Sequence, residues 1–157
     1  MALTTVQLAM TKKLISVPMG TPVPTAIELM EEKRIRHLPI VDAMGDIVGM
    51  LSNRDVANCD DLKRIPVELF MTSPVEFIDE QTPLKTAALK MLENKISCLL
   101  VSDKDENAVG ILTTDDLLWY LTHLLKDDEL QEEKGFGTVI NKETVGQVAN
   151  QLSNMGI

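Results

Sequence analysis

Aromatic side chains are scarce in this sequence: 157 residues hold one tryptophan, one tyrosine and three phenylalanines. Single-stranded nucleic acids are held largely by stacking on aromatic rings, so that mode of binding has little to work with here. Positive charge is short as well. Fifteen Lys and Arg against 24 Asp and Glu leave a net charge of −9, whereas a phosphate backbone is bound by clustered Lys and Arg. Nucleic acid is therefore not an expected partner. With His37 and His123 as the only histidines, no histidine-rich metal site is expected, and no catalytic triad is assembled around either. Cys59 and Cys98 fall in no CxxC or metal-ligand spacing and read as free thiols. No run of about 18 apolar residues is present, and MALTTVQLAMTKK has no basic stretch leading into an apolar one. Neither a membrane span nor a signal peptide is expected, and the expected location is the cytoplasm. Glycine-rich phosphate loops and nucleophile–base pairs are missing too, so the chain is not expected to be an enzyme.

What the sequence does contain is a repeat. Shifted against itself by 61 residues, GMLSNRDV (49–56) lies over GILTTDDL (110–117), and the match runs upstream without a gap. Seventeen positions recur unchanged, from Val6, Leu8, Met10 and Thr11 through Thr21, Pro22, Thr25, Ala26, Met30, Glu32, Ile35, Leu38 and Asp42 to Val48, Gly49, Leu51 and Asp55. A unit of about 60 residues buries too little surface to be comfortably stable alone, so the two copies are expected to pack as one body.

Each copy reads as a helical turn, strand, helix, two strands and a closing helix. TPVPTAIELMEEK places Thr21 as N-cap and Pro22 at the first helical position, with Val23, Ala26, Ile27 and Met30 on one face. Its twin repeats that face with Leu84, Ala87, Ala88 and Met91. HLPIVD and CLLVSD are short apolar runs suited to buried strands, and AMGD and KDEN turn each into a hairpin with IVGML and AVGIL. Gly49 and Gly110 lie in the third strand, where a missing side chain admits a close neighbour. The last helix of the second copy carries Leu117, Leu121, Leu124 and Leu125 on an apolar face, continues through the acidic DDELQEEK, and meets a stop at Gly135. Val145, Val148, Leu152 and Met155 are spaced for a further short helix in the tail.

The order of TPxxTA, RHLPIVD, GxxSxxD and GxxTxxD, duplicated at this spacing, resembles the CBS domain, named after cystathionine β-synthase. The resemblance covers about residues 1–126: one repeat over 1–62, a second over 63–126, and an extension over 127–157 outside it. It implies an α+β fold in which each repeat is roughly β-α-β-β-α, and in which the repeats pair through their sheets with pseudo-twofold symmetry as a Bateman module. It further implies a regulatory adenosyl ligand in the clefts between repeats: AMP, ADP or ATP, with S-adenosylmethionine or NAD as alternatives. A homodimer and a regulated protein partner are also implied.

Within the motif endings, the Ser or Thr and the acid three residues later have two readings that coexist. They form a capping box for a helix start, and they suit a nucleotide, since a helix N-terminus attracts phosphate and a carboxylate accepts from ribose hydroxyls. By the resemblance the ribose acids are Asp55, with Ser52 near the phosphate, and Asp116, with Thr113. The slot beside Asp116 would be lined by Ile111, Ile15, Ile35 and Arg36, and the slot beside Asp55 by Met50, His37, Ile96 and Ser97. The copies differ in charge. Residues 6–55 hold six cations and six acids, residues 67–116 four and ten. Arg54 precedes the first motif acid and Asp115 the second, which makes the Asp55 site the better expected home for a phosphate. The alternative to ligand binding is a scaffold in which the motifs only cap helices. The crowded apolar helix with Leu117, Leu118, Trp119, Tyr120, Leu121, Leu124 and Leu125 points to a homodimer interface.

Overall fold

The computed structural model describes residues 4–57 and 64–135. The chain divides after Leu118 into two units, and the first holds the first repeat and the second as far as Leu118. The first copy contributes α1 (Val6–Ala9), β1 (Val17–Pro18), α2 (Val23–Lys33), β2 (His37–Val41) and β3 (Ile47–Ser52). The second opens with a 3-10 turn at Val67–Leu69, where the first has α1, and continues with β4 (Phe77–Asp79), α3 (Leu84–Asn94), β5 (Cys98–Ser102), β6 (Ala108–Thr113) and α4 (Thr114–Gly135). Mixed α+β architecture is thus present as expected, in two three-stranded sheets ordered β1-β2-β3 and β4-β5-β6.

The sheets are copies down to their register. The first strand of each runs parallel to the second, and the second antiparallel to the third. Leu38 faces Leu51 as Leu99 faces Leu112, Ile40 faces Gly49 as Val101 faces Gly110, and both hairpins slip register one residue later. The AMGD and KDEN links form the two hairpins, with Asp42 and Asp103 carboxylates accepting from backbone N–H groups across each turn. The helices follow the predicted faces: Val23, Ala26 and Met30 are buried on α2, and Leu84, Ala87 and Met91 on α3. Each ends on a left-handed residue, Arg34 at φ 54° and Lys95 at φ 53°. Ile35 N–H then reaches back to Met30 O, and Ile96 N–H to Met91 O, the closing pattern that satisfies the last carbonyls of a helix.

Two expectations are corrected. Thr21 is not the N-cap of α2: Pro22 takes that place in an extended conformation, and the helix begins at Val23. The Thr21 hydroxyl donates instead to Pro18 O at 2.7 Å. The first N–H of α2 is met instead by the leader of the second copy, Val23 N–H donating to Ile65 O while Thr21 O accepts from Val67 N–H, both at 2.9 Å. The first copy also lacks a described closing helix. Residues 53–57 form turns, with Val56 buried in the core, and the residues that follow, Cys59 among them, lie outside those described.

Packing interleaves the copies. The core of the first copy, built on Val17, Val23, Ala26, Met30, Leu38, Ile40 and Leu51, is completed by Val67 and flanked by Ile65, Phe70 and Met71. In return Val6 N–H donates to Thr82 O, and Leu84 N–H to Thr4 O. The leader of each copy therefore seats on the other. Strand-like bridges Thr11–Ile111 and Met50–Thr72 repeat the exchange. A shift of 61 converts each bridge into the other with its partners reversed, which is what a pseudo-twofold axis between the copies produces. Between the sheets Met50, Leu100 and Ile111 are buried together, with Leu14, Ile47, Val75 and Cys98 packed around them. In the second unit α4 continues, with Thr122 Oγ1 and His123 Nδ1 bonded to Trp119 O. No helix of the described residues is long and apolar enough to cross a membrane. The tail helix expected over residues 144–155 lies outside the described residues.

Candidate functional site

Both motif endings close on their acid, and the second does so as a full capping box at the head of α4. Ser52 N–H and hydroxyl donate to Asp55 Oδ2 at 2.7 and 2.8 Å. Thr113 N–H and hydroxyl donate to Asp116 Oδ2 at the same two distances, and Asp116 N–H returns a bond to Thr113 Oγ1 at 3.2 Å. The residue after each Ser or Thr ties the motif to the entrance of the neighbouring strand: Asn53 N–H donates to Arg36 O and Thr114 N–H to Ser97 O. This is why residues 36–37 and 96–97, remote in sequence from their motifs, lie beside them.

Beside Asp55 is a cleft of about 210 Å3. The first copy lines it with His37, Met50, Ser52, Arg54 and Asp55, and the second with Ile96 and Ser97. All the residues expected on this side are thus brought together. Sequence reasoning missed Thr72, Pro74, Val75, Glu76, Lys95 and Cys98, which complete the lining. The repeat held a signal for one of them: under the 61-residue shift Glu76 is the counterpart of Ile15, which was expected on the Asp116 side.

His37 Nε2 and Ser97 Oγ share a hydrogen bond of 2.7 Å across the two copies. Burial, followed by the nearby Arg36 charge, lowers the His37 pKa below 6.5, so the ring is neutral at neutral pH. Burial also pushes the Cys98 thiol up to about 11, with the Asp55 charge adding to it, which leaves a protonated, weakly nucleophilic sulfur. Glu76 pairs with Lys90 at 2.9 Å. Asp55 Oδ1 has no hydrogen-bond partner among the described residues. The cleft therefore offers an apolar wall (Met50, Val75, Ile96), a carboxylate oxygen open to hydroxyl donors, and cationic side chains. The described residues contain no cluster of three or more His, Cys, Asp or Glu suited to a metal.

The reciprocal side is arranged differently. Thr11 Oγ1 donates to Asp116 Oδ1 at 2.9 Å, so both oxygens of that acid are engaged. Arg36 reaches Asp115 at 2.6 Å; the acid expected to repel a phosphate thus has a cationic partner, though both side chains are about half exposed and such pairs are weak. Ile111 is buried between the sheets, and Ile15 and Ile35 pack against the first copy's core. Thr11 was not foreseen as a member of this side.

The family model of the CBS domain matches residues 5–60 and 64–123. Among curated proteins, the homoserine O-acetyltransferase of Methanohalobium evestigatum is 32% identical over 108 residues, which is 69% of this chain and 22% of that protein. The chain spans about a fifth of the length of this and similar curated relatives. Among solved structures, the CBS domain pair of protein MJ0100, in complex with 5′-methylthioadenosine and S-adenosyl-L-methionine, superposes with a TM-score of 0.70 at 29% identity, covering 78% of this chain and 98% of that one. The conserved CBS domain protein TA0289 from Thermoplasma acidophilum gives 0.70 at 26% identity, covering 85% and 78%. With both sequence copies matched by one family model and the paired sheets reproduced in solved CBS pairs, this chain belongs to the CBS domain family as a tandem pair.

Proposed function

We propose that this chain is a regulatory module without catalysis of its own, which binds an adenosyl ligand in the Asp55 cleft and passes the change to a protein partner. The observation that carries the reading is the open Asp55 Oδ1 beside an apolar wall, a carboxylate placed to accept from ribose hydroxyls while adenine lies against Met50, Val75 and Ile96. The adenosyl compounds held by the CBS pair of MJ0100 support the ligand class. AMP, ADP and ATP are the preferred members, ahead of S-adenosylmethionine and NAD, because Arg54 stands at the cleft. Ser52, Thr113, Asp116, Ile111, Ile15, Ile35, Arg36, His37 and Ser97 keep the roles that the family resemblance implies, with the Asp116 side the weaker of the two.

Thermal-shift and titration experiments with AMP, ADP, ATP, S-adenosylmethionine and NAD test this directly, since a ligand bound only by the folded state raises the melting temperature. Silence with all five leaves the scaffold reading. That reading draws on the Thr113–Asp116 box, which is complete at the head of α4 without any ligand.

A homodimer is part of the same proposal. On α4, Leu118 and Trp119 are 60% and 67% exposed, and Leu121, Leu124 and Leu125 about half, an apolar face larger than a lone soluble helix leaves in water.

A further inference from the structure

A second cavity, of about 540 Å3, is lined by the hairpin turns of both sheets, and its size is within the usual range of small-molecule pockets. It shares no lining residue with the Asp55 cleft. Under the 61-residue shift Ser16 becomes Phe77, Gly45 becomes Glu106, Asp46 becomes Asn107 and Ile47 becomes Ala108, and all of these line it. A cavity lined by the same positions of both copies lies on the pseudo-twofold axis between them. The motif endings, by contrast, are at the far ends of β3 and β6 from these turns.

The charge lining this cavity is of one sign. Asp46 from the first copy and Glu106 from the second line it, and no lysine, arginine or histidine does. Neither carboxylate has a hydrogen-bond or ion-pair partner among the described residues. The carboxylates of Asp42 and Asp103, in the same two turns, are occupied by backbone N–H groups. Lys90 donates to Phe77 O at 3.3 Å, but its charge is held by Glu76 at 2.9 Å and it is not in the lining. The remaining wall is largely apolar, with Leu14, Pro39, Val41 and Ile47, and it includes Phe77, 39% exposed. The counterpart of Phe77 is Ser16, so the repeat fold does not itself require a ring at this position. Aromatic rings attract cations.

We propose that this axial cavity binds an aliphatic di- or polyamine, with one ammonium group on Asp46 and another on Glu106, so that a single ligand ties the hairpins of the two copies together. An ammonium group donates charge-assisted hydrogen bonds to a carboxylate, and a methylene stem lies on apolar surface while its charged ends stay in contact with water. A metal ion is served less well, because the described residues hold no cluster of three or more His, Cys, Asp or Glu suited to one. An anion meets two unpaired carboxylates and no cation. The site is separate from the adenosyl cleft and does not rest on that reading.

Titration calorimetry on the full chain at low salt, with spermidine as the probe and butylamine and Mg2+ for comparison, tests the proposal. Spermidine is expected to bind at one site per chain and about fivefold tighter than butylamine, the upper worth of one more exposed ion pair. Asp46→Asn and Glu106→Gln should each lower spermidine affinity by about fivefold, and Phe77→Leu by about threefold, the size of an exposed cation–π contact. Asp46 and Glu106 have no side-chain partner to lose, so both variants are expected to fold. Asp105→Asn removes an exposed charge of the same turn that does not line the cavity, and should leave spermidine affinity within about twofold. Equal losses in Asp105→Asn and Glu106→Gln would reduce the effect to the net charge of the chain and overturn the site. Butylamine or Mg2+ binding as tightly as spermidine would overturn the diamine grip, and so would the absence of heat with millimolar spermidine.

Discussion

Thr11 donates its hydroxyl to Asp116 Oδ1 at 2.9 Å, joining the leader of the first copy to the closing motif of the second across 105 positions. The counterpart of Thr11 is Thr72, which lines the Asp55 cleft, where Asp55 Oδ1 has no partner among the described residues. A ligand hydroxyl at Asp116 Oδ1 must share that oxygen with Thr11, whereas at Asp55 Oδ1 it competes with no described residue. Asp55→Ala is therefore expected to weaken adenosyl binding by about tenfold or more, and Asp116→Ala by less. Calorimetry on the two folded variants decides it, and the opposite ranking would remove the argument from the open oxygen.

Gly110 is required by the same exchange of leaders. A Cβ placed there would lie 2.7 Å from Thr11 O, the oxygen that accepts Ile111 N–H at 2.9 Å. Gly49, its counterpart, faces the side chain of Met71 instead, and a methionine side chain can turn away where a backbone carbonyl cannot. Gly110→Ala should destabilise the chain by about 1–3 kcal/mol and Gly49→Ala by less, read from urea unfolding midpoints. Equal midpoints would mean that the backbone at Thr11 yields as readily as Met71.

His37 gives the fold a pH dependence whose sign follows from its depressed pKa. The unfolded chain binds a proton at this ring near pH 6.5, whereas the folded chain binds it only at lower pH, so stability falls as pH drops from 6.5 toward the folded value. The fall should be smaller in His37→Gln, whose amide keeps a hydrogen-bonding group near Ser97 without titrating. Melting temperatures of both proteins between pH 7.5 and 5 measure it; parallel curves would show that His37 carries no share.

The exposed face of α4 makes its own prediction. Leu121, 47% exposed, sits among the apolar residues proposed to meet a second copy. Light scattering should give a dimer mass at micromolar concentration, and Leu121→Glu should shift it toward monomer with the fold intact, because an unpaired carboxylate is costly at an apolar interface. A monomeric wild-type chain would refute the dimer, and a dimer indifferent to the substitution would move the interface off this face.

Much of the architecture was legible before any coordinates. A 61-residue shift that matches 17 positions implies two like folds, and the strand registers Leu38–Leu51 and Leu99–Leu112 follow it one for one. Faces such as Val23, Ala26 and Met30 were readable because helical burial repeats about every 3.6 residues. The Thr113–Asp116 box and the matching Ser52–Asp55 bonds were readable because such a motif is closed within three residues.

Tertiary structure decided the rest. A repeat states that two segments are alike, but not which copy each leader packs against. Val67 completes the first core and Thr4 accepts from Leu84 only because the leaders cross over. The same crossing replaces the expected Thr21 cap by backbone groups of residues 65 and 67. It also sets Thr11 on Asp116 and leaves Asp55 open, an asymmetry that two equivalent threonines could not announce. Lys95 lines the cleft from the left-handed turn at the end of α3. Contacts within one helical turn or one hairpin are set by neighbouring residues, whereas these join segments about 40 to 105 positions apart, and only the folded chain brings them within bonding distance.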